Sequence, residues 1–210
     1  MCLNQKSVSM GFTEEHFPAG THMCMIYNSE TERRKIISGY VDGGLSSEEK
    51  VAYFADTASP EQIRKWLAEM GISLSTPHTD DLLSILSTAD TYHPTGIFEP
   101  EEMLGRLKKF YETAMAENYP ACRVTGEMSW ALKGVPGSDQ LMIYEAKVND
   151  VVKAYPVTAV CQYDANKFDG ATILECLKVH PYMIVHGQIV RNPYYMKTDD
   201  FLRQKSRVSG

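Results

Sequence analysis

The chain has 210 residues, of which 43% are hydrophobic and 23% charged, and it carries a formal net charge of −6. That length suits one well-buried α/β domain or two small ones, and the acidic balance gives no reason to expect nucleic acid or an anionic membrane surface as a partner. No apolar run reaches bilayer length, the opening residues lack a signal-peptide core, and the five cysteines (Cys2, Cys24, Cys122, Cys161 and Cys176) are scattered, which together predict a cytoplasmic protein with reduced thiols.

Strand and helix candidates alternate along the chain. Short apolar runs at 22–27, 51–56, 82–86, 123–126 and 158–163 read as strands covered on both faces. Segments 182–185 and 188–190 read as a hairpin around Val185-His186-Gly187-Gln188. The helices between them have legible ends. Ser29 with Glu32 reads as a capping box, and Gly43-Gly44 is expected to close that helix. Ser59-Pro60-Glu61-Gln62 opens a second helix that Gly71 stops, and Pro100 opens a long one ending near Asn118. Ser138 is expected to cap the next helix, whose Leu141, Tyr144, Val148, Val151 and Val152 recur at helical spacing. Asp169 caps the last, with Phe168 and Ile173 as a hydrophobic staple.

This alternation predicts an α/β fold in three layers, a largely parallel central sheet with helices on both faces and a C-terminal antiparallel β-hairpin. Residues 1–19 are expected as an N-terminal extension and 20–196 as a single domain. Residues 197–210 are expected as a solvated tail, whose basic run at 203–207 is no nucleic-acid arm.

The junction after the first strand is the most telling segment. In nucleotide-binding α/β proteins it holds glycines and a lysine that grip phosphate. Here it reads Tyr27-Asn28-Ser29-Glu30, with neither, and with acids at Glu30 and Glu32. Ligands of open parallel sheets gather at the carboxyl ends of the strands. Those ends carry Tyr27-Asn28, Asp56-Thr57, Thr88, Glu127-Met128-Ser129-Trp130 and Tyr163-Asp164. Glu127 could polarise water or accept a ligand's hydrogen bond, and Trp130 could wall a small pocket. The plainer alternatives are that Asp56 and Asp164 serve turns, that Glu127 pairs with Arg123 or Lys133, and that Trp130 packs on the sheet. Met23, Met25, Met128, Met142 and Met183 read as core filler, several of them near this rim.

His22 and Cys24 are two apart on one strand and so share a face. Imidazole and thiolate are good ligands for zinc, copper or haem iron, but two ligands make half a site. Cys161 and His180 could complete it, and a hydrogen-bonded core histidine is the structural alternative. Cys24 lies within a strand, away from the sharp turn that a catalytic nucleophile occupies.

His22-x-Cys24-x-x-Tyr27-Asn28, Tyr53-Phe54-Ala55-Asp56, Thr125-Gly126-Glu127-Met128-Ser129-Trp130-Ala131-Leu132, Cys161-Gln162-Tyr163-Asp164 and His180-Pro181 followed by Gly187-Gln188-Ile189-Val190-Arg191-Asn192-Pro193 together resemble the MEDS sensory domain. The name refers to methanogens, methylotrophs and the dichloromethane-metabolism repressor, and the resemblance runs from about Gly20 to about Tyr195. It implies a RecA/KaiC-like architecture without a phosphate loop and a non-catalytic sensor of simple hydrocarbon derivatives or one-carbon compounds. Such domains are often joined to histidine-kinase, PAS or helix-turn-helix modules, and no output module is expected within these residues. The expected partners are a small organic ligand and a histidine kinase or transcription regulator, with homo-oligomerisation open and no direct contact with nucleic acid or membrane. No cofactor is expected. The candidate ligand-binding residues are His22, Cys24, Tyr27, Asp56, Glu127, Trp130, Cys161, Tyr163 and Asp164. Two rival readings are a degenerate RecA-type nucleotide binder and a metal- or haem-dependent redox sensor or enzyme.

Overall fold

Period-two alternation in the apolar runs sorts their side chains to two faces, and helices cover both. The computed structural model describes residues 6–74 and 77–208; Cys2 and the ends of the expected extension and tail lie outside them. In chain order the elements are β1 (Ser7–Ser9), β2 (His16–Pro18), β3 (His22–Tyr27), α1 (Glu30–Ser46), β4 (Lys50–Ala55), α2 (Pro60–Glu69), α3 (Pro77–Leu82), β5 (Leu83–Ser87), α4 (Thr88–Tyr92), α5 (Pro100–Ala116), β6 (Cys122–Glu127), α6 (Leu141–Ala154), β7 (Val157–Asp164), α7 (Gly170–Val179), β8 (Tyr182–Val185), β9 (Gln188–Arg191) and α8 (Thr198–Val208). Among the described residues, the main sheet has seven strands in the order β5-β4-β6-β7-β3-β8-β9, parallel except for β9. β1 and β2 form a separate antiparallel ribbon.

One core lies between the sheet and α1 with α2, built on Met23, Met25, Tyr53, Val160, Ile37 and Trp66. The other lies between the sheet and α5, α6 and α7, built on Cys24, Phe54, Cys161, Tyr163, Leu104 and Val148. The register places Cys24 beside Cys161 on β7 and beside Met183 on β8, so one face of three adjacent strands gathers sulfur side chains. His186 and Gly187, both at positive φ, make the tight turn of the β8–β9 hairpin, as that junction predicts.

Three expectations change. Gly43 and Gly44 do not end α1, which runs on to Ser46. A Cβ at Gly44 would sit 2.8 Å from Arg123 Cδ, and one at Gly43 would sit 2.8 Å from Gly11 Cα, so these glycines permit close approach rather than a stop. Ser138 starts a short 3-10 turn without a side-chain cap, and α6 begins at Leu141.

Residues 198–208, expected as tail, form α8 against α6 and α7, with Phe201 buried. Phe201→Ala should therefore lower unfolding free energy by about 3 kcal/mol in urea denaturation. A loss below about 0.5 kcal/mol, as at ordinary surface sites, would show that α8 is not docked.

Candidate functional site

Two buried polar clusters flank the sheet, one on each face. The first fills the junction where a phosphate loop would lie. Ser29 caps α1 by accepting from the Glu32 amide, which turns Arg33 inward. Arg33 is 2% exposed, and its Nη1 donates to Tyr53 Oη (2.9 Å), Gln162 Oε1 (2.9 Å) and Glu127 Oε1 (3.2 Å). Its guanidinium also lies over the Tyr27 ring, 5.6 Å from the centroid.

Glu127 Oε1 also accepts from Tyr53 Oη (2.7 Å), while Oε2 accepts from the amides of Asp56 (3.0 Å) and Thr57 (2.6 Å) and from Thr57 Oγ1 (2.7 Å). Both carboxylate oxygens are thus occupied by internal donors. Glu127 pairs with Arg33, not with Arg123 or Lys133: Arg123 binds Glu49 at 2.7 Å, and Lys133 binds Asp56 at 2.7 Å. Asp56 further accepts from Thr88 and Ser129, and Asp164 from the amide and side chain of Asn166, so both acids tie loops together. Trp130 is fully buried among aromatic rings, stacked on Tyr92 at 5.1 Å, with Phe98 at 4.7 Å.

The second cluster lies on the other face. His22 from β3, Cys161 and Tyr163 from β7, Glu145 and Asn149 from α6, and His180 just after α7 converge inside the core. Glu145 Oε2 lies 3.2 Å from His22 Nε2, 3.4 Å from Cys161 Sγ and 3.5 Å from His180 Nε2. Tyr163 Oη donates to Glu145 Oε1 at 2.7 Å. The two imidazoles lie 4.3 Å apart between centroids.

Burial alone would raise the Glu145 pKa, but the charge and hydrogen bonds of His180 and His22 overcome it and hold the carboxyl well below the ordinary carboxylate range. His180 is opposed by burial yet pushed up to about 9 by Cys24 and Glu145, whereas burial and its neighbour His180 pull His22 down. Burial and Glu145 push the Cys161 thiol well above its usual value. Cys24 lies beside this group, with Cys176 and His180 within 4.8 Å of it in ligand-atom distance.

The candidate set read from the sequence is therefore divided. His22, Cys24, Cys161 and Tyr163 meet on one face, whereas Glu127, Tyr27 and Asp56 serve the other. Arg33, Glu145 and Asn149, which complete the two clusters, lie outside that candidate set. His22, Glu145, Cys161 and His180 each offer one ligand-type atom, all within 4.8 Å of one another. Four atoms that close surround a bare ion and leave no room for a porphyrin plane.

A cavity of about 270 Å³ opens at the carboxyl end of β3, lined by Met25, Tyr27, Asn28, Ile36, Met183 and Ile184 among others. A larger open hollow of about 600 Å³ runs along the outer side of α1 past Glu32, Lys35 and Asp42; it touches neither buried cluster.

This sheet order is that of the RecA/KaiC-like fold class, with the phosphate junction filled. Similar solved structures are a KaiC-like protein from Pyrococcus horikoshii OT3 (TM-score 0.63, 16% identity, covering 86% of this chain and 80% of that one) and the flagellar accessory protein FlaH from Methanocaldococcus jannaschii (TM-score 0.57, 11% identity, 89% and 84%). Within that class the chain belongs to the MEDS family, the methanogen/methylotroph, DcmR sensory domain, whose family model matches residues 21–181. It is also 25% identical over 160 residues to the transcriptional repressor DcmR of Methylorubrum extorquens (strain DSM 6343 / CIP 106787 / DM4), a match covering 76% of this chain. The chain spans 57% of that relative's length. The family membership gives the chain a sensory, regulatory role. Among the described residues, no helix is long and apolar enough to cross a membrane.

Proposed function

We propose that this chain is a non-catalytic sensing module of the cytoplasm that recognises a small, weakly polar organic molecule, such as a methylated or halogenated one-carbon compound. Its output passes to a histidine kinase or a transcription regulator. The observation that carries this reading is the contrast between the two candidate sites on α1 and β3. The phosphate junction is closed by Arg33 and Glu127, while the cavity at the carboxyl end of β3 is small and mostly apolar, walled by two methionines, Tyr27 and aliphatic side chains with Asn28, Glu32 and His186 at its polar edge. Polarizable thioethers and an aromatic face suit a ligand with few polar atoms.

A ligand of three to five heavy atoms gains at most about 1.5 kcal/mol per atom, so its affinity falls between about millimolar and micromolar. Signalling from so little energy requires a domain already poised between two conformations, because a ligand shifts an equilibrium only by its differential affinity.

The test is a thermal-shift and tryptophan-fluorescence titration with a panel of one-carbon compounds and, in parallel, with magnesium-bound ATP and GTP. At least one panel member should give a saturable response that Met183→Ala weakens, and neither nucleotide should bind or be hydrolysed. Nucleotide turnover that depends on magnesium and disappears in Glu127→Gln would overturn the reading.

A further inference from the structure

We propose that His22, Glu145, Cys161 and His180 form a binding site for one divalent transition-metal ion, held in a tetrahedron by two Nε2 atoms, one carboxylate oxygen and one thiolate. The hydrogen bonds that face away from the cluster orient its imidazoles. Asn149 Nδ2 donates to the carbonyls of Glu145 (3.3 Å), Ala146 (3.1 Å) and Val179 (2.7 Å). That fixes its amide orientation and leaves Oδ1 as the acceptor 3.1 Å from His22 Nδ1. His22 therefore carries its proton on Nδ1, and the Nε2 lone pair points into the cluster. His180 Nδ1 lies 2.8 Å from the carbonyl of Cys176, so it too donates outward.

Its Nε2 is buried and makes no hydrogen bond, although Glu145 is 3.5 Å away. Two imidazole Nε2 atoms, a carboxylate and a sulfur thus face one another in the core, each imidazole held by an outward Nδ1–H bond. That outward bond is the usual support of a metal-ligating histidine.

The distances agree. Metal–ligand bonds of about 2.0–2.3 Å place tetrahedral ligand atoms about 3.3–3.6 Å apart. The contacts His22–Glu145, His22–Cys161, Cys161–Glu145 and His180–Glu145 measure 3.2, 3.4, 3.4 and 3.5 Å, and the remaining pairs fall within 4.8 Å. Charge agrees as well. Loading releases the Cys161 thiol proton and the His180 Nε2 proton to solvent, and the dication then balances one thiolate and one carboxylate, leaving a neutral centre in the buried core. The neighbouring trio Cys24, Cys176 and His180 is the poorer set, because it offers three donors to the four here, and Cys176 Sγ lies 3.6 Å from His180 Nδ1, which is committed to the Cys176 carbonyl. Mixed nitrogen, oxygen and sulfur donors in a closed tetrahedral arrangement suit zinc.

This site is separate from the cavity of the proposed function: the donors sit towards the amino end of β3, the cavity at its carboxyl end. Failure of one reading leaves the other standing. The experiment exposes the full chain to Zn2+, desalts it, and measures metal by elemental analysis; in parallel the metal-free chain is loaded with Co2+ and its absorption recorded. The expected result is one equivalent of zinc, and intense tetrahedral Co2+ bands with a thiolate charge-transfer band that Cys161→Ser abolishes while far-ultraviolet circular dichroism is unchanged. Asn149→Ala, which frees the His22 ring together with the three carbonyls its amide holds, should weaken Zn2+ binding by about 10–100-fold while far-ultraviolet circular dichroism is unchanged. Less than a tenth of an equivalent of bound zinc (about the level of carry-over), a weak octahedral Co2+ spectrum, or a thiolate band that survives Cys161→Ser would overturn the proposal.

Discussion

Glu145→Leu should destabilise the domain by about 3–5 kcal/mol in urea denaturation, because among the described residues it removes the carboxylate that faces His22, His180 and Cys161 in the buried core. Tyr163 loses the acceptor of its 2.7 Å hydrogen bond in the same step, and His180 loses a group that favours its protonated form. Total stability of a domain is typically about 5–15 kcal/mol, so this variant sits near the limit of folding. Glu145→Gln keeps the shape and an acceptor for Tyr163, and should retain about half of the loss. A Glu145→Leu variant as stable as the parent would mean that the cluster is an inert part of the core.

Arg33→Met should cost a similar amount, about 3–5 kcal/mol, since it strips the buried Glu127 carboxylate of its counter-charge and leaves Gln162 without a donor. Adding Glu127→Gln to Arg33→Met should recover part of that loss, because the uncompensated charge is then gone. A double-mutant cycle by denaturation measures the coupling. Additive effects of the two changes would show that Arg33 and Glu127 act independently and that the phosphate junction is not closed by their pairing.

The sheet was legible because each strand is a short apolar run ended by a polar residue at the carboxyl side. Residues 22–27 and 182–185 have the bounds read from sequence, and the others shift by a residue or two. Gly43-Gly44 misled because the same residue that ends helices by adopting left-handed φ also lets another chain segment come close, and only the Arg123 side chain lying against Gly44 reveals which applies. The basic run after Phe201 looked solvated because its apolar face is narrow, with Phe201 as its buried anchor.

At the site, the sequence showed that His22 and Cys24 share a face and offered Cys161 and His180 as partners, without a way to place them. The β3–β7 register supplies Cys161, and the end of α7 supplies His180. Glu145 and Asn149 leave a readable trace in the sequence. Both fall on the stripe defined by Leu141, Tyr144, Val148 and Val152, where an acid and an amide in the core demand internal partners. Arg33 was hidden by the acids around it, Glu30 and Glu32, which make the first turn of α1 look like a solvated cap. Its signal lies in Glu127, a buried acid at a strand end that needs a cation from elsewhere in the chain.

A sensing module of the proposed kind answers a small organic molecule at the carboxyl end of β3 and not a nucleotide phosphate. The most direct measurement is a methionine-methyl NMR titration, with Met25 and Met183 assigned, against the one-carbon panel and against magnesium-bound ATP. Saturable shifts centred on Met25 and Met183 with at least one one-carbon compound, and an unchanged spectrum with ATP, are the predicted result. An unmoved spectrum across the whole panel, together with saturable ATP-induced shifts, would contradict it.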